Sequence, residues 1–186
     1  DNAATTFPKP PCLSEAMARC IQEGAINAGR GSYDIAFVAD QTISHTRELV
    51  KTLLGQSRGY VLFAPSVTIA LNQILLGLPL AQSDYIYSTP FEHNAVARIL
   101  QHLQTERQIH WEFLSFNGKM LSFDLEKIKQ QFFLHPPKVV AISHVGNVFG
   151  LITPIEEIAK LAHEYGAPVV VDGAQAGPLL TTWPGD

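Results

Sequence analysis

Val169-Val170-Val171-Asp172-Gly173-Ala174-Gln175 is the stretch that decides the fold. Three valines ending in a carboxylate read as a buried strand, and Asp-Gly is a turn signal where the chain leaves it. Just upstream, Thr153-Pro154-Ile155-Glu156 offers a capping threonine, a proline at the first helical position and a glutamate closing a capping box. A helix is therefore expected to run to about residue 165, where Gly166 ends it. Outward from this pair the same rhythm repeats. Strands are expected at 60–63, 85–88, 109–114 and 138–142, and helices at 66–76, 93–107 and 124–133, with Asn117-Gly118 as a turn. Within 66–76, Val67, Ala70, Leu71, Ile74 and Leu75 recur at helical spacing and Gly77 is the stop. Two further helices, 12–28 and 40–54, precede the first strand and are joined by the loop Gly29-Arg30-Gly31-Ser32. No internal repeat or low-complexity linker breaks the pattern. Apolar strands alternating with amphipathic helices define a three-layer α/β fold, a mostly parallel sheet with helices on both faces.

Composition agrees with so much buried surface. The 186 residues are 46% hydrophobic and only 16% charged, with 13 basic against 17 acidic side chains and a net charge of -4. A disordered tail is excluded by that hydrophobicity. A mildly acidic chain without lysine or arginine runs has no electrostatic footprint for nucleic acid. Cys12 and Cys20 make neither a disulfide framework nor a C-x-x-C metal pair, and read as reduced thiols. The longest apolar stretch, 74–81, is broken by Gly77 and Pro79 and falls short of the roughly 20 residues that span a bilayer. No signal peptide is read at the start, so a soluble, cytoplasmic protein is expected. His102 and His110 flank one helix end without further metal ligands and are read as solvated, so no metal site is expected.

In such sheets ligands bind beyond the carboxyl ends of the strands. The segments there contain Ser66-Val67-Thr68, Glu92-His93-Asn94, Asn147 and Asp172-Gly173-Ala174-Gln175. Singly, each has a plain explanation: Ser66, Thr68 and His93 as helix caps, Asp172 as a turn residue, Asn147 as a loop asparagine. Together they suit one molecule. A helix start at Ser66, Val67 and Thr68 offers N–H groups and hydroxyls to a phosphate. The imidazole of His93 can stack on a flat ring, and Asp172 can hold a pyridine nitrogen protonated. Gln175 and Asn147 can orient ring oxygens. A phosphate, a ring face, a ring nitrogen and a ring hydroxyl describe pyridoxal 5'-phosphate, an electron sink when its nitrogen is protonated. A dinucleotide-binding domain would need glycines after its first strand, and Ala64-Pro65-Ser66-Val67-Thr68 has none.

Asp1-Asn2-Ala3-Ala4-Thr5-Thr6, Asn27-Ala28-Gly29-Arg30-Gly31, Glu92-His93-Asn94, Asn147-Val148-Phe149-Gly150 and Val170-Val171-Asp172-Gly173-Ala174-Gln175 lie in order along the chain. This set resembles the class V aminotransferase family of fold-type I pyridoxal-phosphate enzymes, and within it cysteine desulfurases and cysteine desulfurase-like proteins. The resemblance covers essentially all 186 residues. It implies that Asp172 pairs with the pyridine nitrogen, that His93 stacks on the ring as the catalytic histidine, and that Gln175 meets the phenolic oxygen. It implies that Ser66, Val67 and Thr68 bind phosphate and that Asn147 lies beside cofactor and substrate carboxylate. The implied activity converts cysteine to alanine and persulfide sulfur. A small amino-acid substrate, a homodimer to which the Gly29-to-Ser32 loop contributes and a sulfur-acceptor protein are implied partners, with neither nucleic acid nor membrane.

Two departures stand out. The family's phosphate turn places glutamate after the threonine, where this chain has Ile69. The family's Schiff-base lysine lies one strand beyond the aspartate, whereas all seven lysines here, from Lys9 to Lys160, precede Asp172. Cys12 and Cys20 do not match the desulfurase nucleophile, which lies further downstream. The chain is thus expected to be an N-terminal portion, inactive alone. Residues 1–55 form an N-terminal arm and helices, and 56–186 the first part of the cofactor-binding large domain, with its C-terminal part and the small domain absent. Another class V aminotransferase or lyase, or a non-catalytic scaffold on the same fold, are the alternatives.

Overall fold

A computed structural model of the chain describes residues 5, 7–23, 26–29, 31 and 33–176. The expectations placed on Asp1 to Ala4, Thr6, Arg30 and Ser32 lie outside the described residues. The chain forms two units, Asp1–Leu62 and Phe63–Asp186.

The first unit contains α1 (Pro11–Glu23) and α2 (Asp34–Leu53). Both differ from the expected bounds. Gly29, at φ +79, stands in a turn past the end of α1, so the helix does not reach Ala28. Helix α2 begins at Asp34 rather than Asp40, because Asp34 places a carboxylate in the first turn, where it meets the positive end of the helix dipole. None of the residues described in α1 is buried, and in α2 only Ala36 is.

The second unit alternates as the periodicity predicts. Its elements are α3 (Val67–Gly77), β1 (Tyr85–Ser88), α4 (Asn94–Arg107), β2 (His110–Phe113), β3 (Phe116–Asn117), β4 (Ser122–Phe123), α5 (Leu125–Leu134), β5 (Pro137–Ser143), α6 (Ile155–His163) and β6 (Val169–Asp172). Strands β2-β1-β5-β6 form a sheet whose described pairings are all parallel, and β3 with β4 a small antiparallel hairpin. Alternation along the strands divides the core between the two faces. Ile86, Val139 and Ala141 pack with Leu71 and Leu75 of α3 and Val96, Ile99, Leu100 and Leu103 of α4. Tyr87, Val140 and Ile142 face the other way, onto Ile128 and Phe132 of α5 and Ile155, Ile158 and Ala162 of α6. Each buried valine, leucine, isoleucine or phenylalanine among them contributes about 1.5–3 kcal/mol by leaving water, which is why the helices close over both faces.

Two local expectations fail. Residues 60–63 form no strand: Tyr60 and Leu62 are 96% and 85% exposed, and no strand among the described residues pairs with them. An apolar run becomes a strand only beside another strand, and among the described residues no strand pairs with this one. The capping box at α6 is also absent. Pro154 occupies the N-cap position without a side-chain bond, while the buried Thr153 hydroxyl donates to the Ser143 carbonyl at 2.7 Å. A carbonyl at the strand end has claimed the hydroxyl that would have capped the helix.

No helix among the described residues is long and apolar enough to cross a membrane.

Candidate functional site

The chain moves from β1 outward to β2, then returns to the opposite side of β1 to lay down β5 and β6. The carboxyl ends of β1 and β5 therefore flank a topological switch point, where a sheet of this kind opens a crevice. β1 and β5 stay in register only to Ser88 and Ala141, whereas β5 and β6 continue to Ser143 opposite Asp172. Past that level Thr89 and Ser143 are not ladder partners, and their backbone N–H groups need other acceptors.

Glu92 supplies them. Its Oε1 accepts from Thr89 N at 3.3 Å, Thr89 Oγ1 at 2.6 Å and Ser143 N at 2.9 Å, and its Oε2 accepts from Ser143 Oγ at 2.7 Å. Thr89 and Ser143 are themselves 1% and 5% exposed. Burial pushes the Glu92 carboxyl above the usual range, opposed by these hydrogen bonds, which favour its charged form. The next residue, His93, is the N-cap of α4, and its Nδ1 accepts from Ala95 N at 3.1 Å. An accepting Nδ1 places the ring proton on Nε2.

Asp172 ends β6 at 7% exposure. Its Oδ1 accepts from Ala174 N at 3.0 Å, closing a turn through its own side chain, and its backbone carbonyl accepts from His144 N at 2.9 Å. The second carboxylate oxygen has no hydrogen bond among the described residues. Gln175 follows in that turn, half-buried. His144 is buried beside this strand end, and desolvation holds its imidazole below the ordinary value.

Ser66 caps α3 by accepting from Ile69 N at 3.2 Å. That bond uses one of the helix's first donors, and the N–H groups of Val67 and Thr68 are among those that a helix start leaves without an intrahelical partner. A groove of about 330 Å³ is lined by Thr68, Asn72 and Leu76 along α3 and by Asn94, Arg98 and His102 along α4. Arg107, at the end of α4, donates to the carbonyls of Leu76 and Leu78 at the end of α3, at 2.8 and 3.1 Å, so the two helices run side by side in the same direction. Thr68 is therefore at the same end as His93, beyond the carboxyl end of β1. Asn147 sits exposed in the 147–149 turn, inside a loop closed by the bridge between Val145 and Ile152. That loop lies against the β1 end through Phe91, whose ring centroid is 5.9 Å from Phe149. Phe91 also meets Phe116 of β3 at 4.7 Å.

The expected residues thus gather at one edge of the sheet, although no direct hydrogen bond among them is described. Glu92, Ser143 and Thr153 are the residues sequence reasoning missed. Thr89-Pro90-Phe91-Glu92 has the Thr-x-x-Glu spacing of a capping box, and half of it forms: Glu92 Oε1 accepts from the N–H and hydroxyl of Thr89, whereas Thr89 Oγ1 accepts from Phe91 N at 3.2 Å and not from Glu92 N. The helix itself starts later, at Asn94, under His93. His110, read as solvated, is exposed but stacks on Tyr85 with centroids 4.6 Å apart. Among the described residues no cluster of His, Cys, Asp and Glu could hold a metal.

Fold and site together define an α/β domain that gathers its polar groups at the carboxyl edge of a parallel sheet. Residues 1–180 match the family described as Aminotransferase class-V, and the chain belongs to that family. A probable cysteine desulfurase of Pyrococcus abyssi is 29% identical over 178 residues, covering 95% of this chain and 43% of its own. Another, from Halalkalibacterium halodurans, is 31% identical over 185 residues, covering 96% and 45% respectively. The apo structure of a cysteine desulfurase from Thermococcus onnurineus NA1 aligns with a TM-score of 0.83 at 29% identity, over 92% of this chain and 42% of that one. The chain spans less than half the length of these relatives.

Proposed function

We propose that the protein carrying this chain is a cytoplasmic pyridoxal-phosphate enzyme, a transferase or lyase that acts on a small amino acid. The reaction favoured is desulfuration of cysteine to alanine, with the sulfur leaving as a persulfide for an acceptor protein. The observation that carries the reading is Asp172: a carboxylate at 7% exposure on a strand end, with one oxygen unbonded among the described residues, on the same sheet edge as the His93 imidazole.

The residues fit the cofactor. The unused Asp172 oxygen suits a ring N–H, and the donors at the start of α3 suit a phosphate. The His93 ring is held at the edge by its cap bond and offers a flat face, which is the role in which we class it as catalytic. Gln175 and Asn147 would offer amides to a ring hydroxyl and a substrate carboxylate. When bound, pyridoxal phosphate supplies an electron sink for bonds at the substrate α-carbon. Asp172 keeps the ring nitrogen protonated, and the Nε2 proton of His93 is available to a neighbouring acceptor. Residues 56–186 are then the first part of the cofactor-binding large domain and 1–55 an N-terminal arm. A homodimer would cover apolar rows such as Leu13, Met17 and Ile21, which are 43%, 58% and 71% exposed.

The test uses the full-length protein. Titration with pyridoxal phosphate should produce a visible absorbance band, and added cysteine should release alanine and sulfide. No band defeats the cofactor assignment. A band with turnover of other amino acids and no sulfide keeps the cofactor and removes the desulfurase reading, and a band with no turnover supports a scaffold.

A further inference from the structure

We infer that Glu92 is a positioning residue whose carboxylate clasps the diverging ends of β1 and β5 and so holds the His93 imidazole in register with the Asp172 carboxylate. The inference rests on the cofactor reading proposed above.

Two facts of topology make the clasp necessary. Ladder pairing between β1 and β5 stops at Ser88 and Ala141, so nothing in the sheet fixes the Thr89 end against the Ser143 end. Ser143 is the register partner of Asp172, so whatever fixes Ser143 also fixes Asp172. Glu92 reaches 51 positions along the chain to take both the N–H and the hydroxyl of Ser143, and takes the N–H and hydroxyl of Thr89 with the same carboxylate. The adjacent residue is His93, whose Nδ1 is in turn tied to Ala95 N. A continuous chain of bonds therefore runs from the imidazole that would lie on the ring to the strand that would hold its nitrogen. No lysine, arginine or histidine forms a salt bridge with Glu92 among the described residues, so its acceptors serve these donors. Glu92 acts by setting His93 against the Asp172 strand, so its effect passes through the imidazole and it does not itself touch cofactor.

The chemistry of the clasp predicts its sensitivity. An amide at this position keeps one accepting oxygen and turns the other into a donor, so Glu92→Gln removes the charge from all of these bonds and forces the Ser143 hydroxyl to reverse and accept. Aspartate is one methylene too short to reach both strand ends and should not restore the function.

A double-mutant cycle on the full-length protein reads the inference, with pyridoxal phosphate as the probe and three readouts. These are dissociation constant by fluorescence titration, induced circular dichroism in the visible, and the melting temperature of the cofactor-free protein. E92Q should raise the dissociation constant about tenfold, the order expected when a buried charge-assisted hydrogen bond is lost, and weaken the visible dichroism. In an H93A background the same substitution should change it less than about twofold, because its effect passes through the imidazole. Should E92Q fail to fold, S143A removes only the hydroxyl donor to Oε2 and should show the same coupling at smaller amplitude. Equal effects of E92Q in both backgrounds, or full rescue by E92D, would overturn the positioning role while leaving the cofactor reading intact. A wild-type protein that binds no pyridoxal phosphate would overturn both.

Discussion

His93 carries two duties that substitution can separate. It caps α4 through Nδ1, which accepts from Ala95 N at 3.1 Å, and we assign its ring face to the cofactor. Removing an N-cap acceptor costs about 0.5–2 kcal/mol of stability, and the exposure of His93 argues for about 1 kcal/mol here. Losing one aromatic stacking contact costs about 0.5–1.5 kcal/mol of binding, or about 2- to 12-fold in dissociation constant. His93→Asn supplies one of the best capping oxygens and no ring, so it should unfold in urea like the wild type yet bind pyridoxal phosphate about 2- to 12-fold more weakly. His93→Phe keeps a ring and loses the acceptor. It should bind within about twofold of wild type and be about 1 kcal/mol less stable. His93→Ala should show both deficits. Urea denaturation of the cofactor-free full-length protein and fluorescence titration of the cofactor read the two axes independently. Asparagine binding as tightly as histidine would refute the stacking role, and asparagine as unstable as alanine would refute the cap.

Further outcomes are expected of the full-length protein. Phe132→Ala should cost about 3–5 kcal/mol in urea denaturation, because Phe132 is 0% exposed between α5 and the sheet. Phe133→Ala, one residue on but 75% exposed, should stay within about 0.5 kcal/mol of wild type, and parity of the two would contradict the placement of α5. His144 should give an acid-sensitive step. Burial depresses its imidazole below 6.5, so the unfolded chain takes up a proton that the folded one refuses, and stability is lost as pH falls below that value. Urea midpoints between pH 7.5 and 5.5 should fall less for His144→Gln, and parallel curves would discount this group. Glu92 acts with the opposite sign: its folded carboxyl titrates above 4.5, so its contribution fades as pH rises through that raised value. Asp172→Asn replaces a carboxylate with a neutral amide and should weaken pyridoxal phosphate binding and shift the visible band. An unchanged spectrum would remove Asp172 from the ring nitrogen.

Much of the sheet was legible because its signals are local. The three valines before Asp172 became β6, and the spacing of Ala95, Val96, Ile99, Leu100 and Leu103 became the buried face of α4. Residues 60–63 carry the same apolar signal and form no strand, since pairing depends on a neighbour that a run of side chains does not specify. Thr153 shows the same gap at the scale of one hydroxyl. Its spacing to Glu156 marks a cap, yet the Ser143 carbonyl, ten positions away in the chain, captured it. The site followed the same rule. Asp172 and His93 could be picked out because each follows a recognisable strand or opens a helix. Glu92 could not, because its partner Ser143 becomes adjacent only after α5 has carried the chain back across the sheet.

Ser143 spends its N–H and hydroxyl on Glu92 and its carbonyl on Thr153, so one small residue joins the exit of β1 to the entrance of α6. Inherited variation at 89, 92 and 143, whose side chains bond one another, should therefore travel as a set, whereas position 153 answers only to a main-chain carbonyl that every residue at 143 supplies. Loss of one of the three side chains leaves a buried donor or acceptor stranded at the others, and a matched change within the trio repairs it. In the descent of this domain those three residues should behave as one heritable character distributed over three codons.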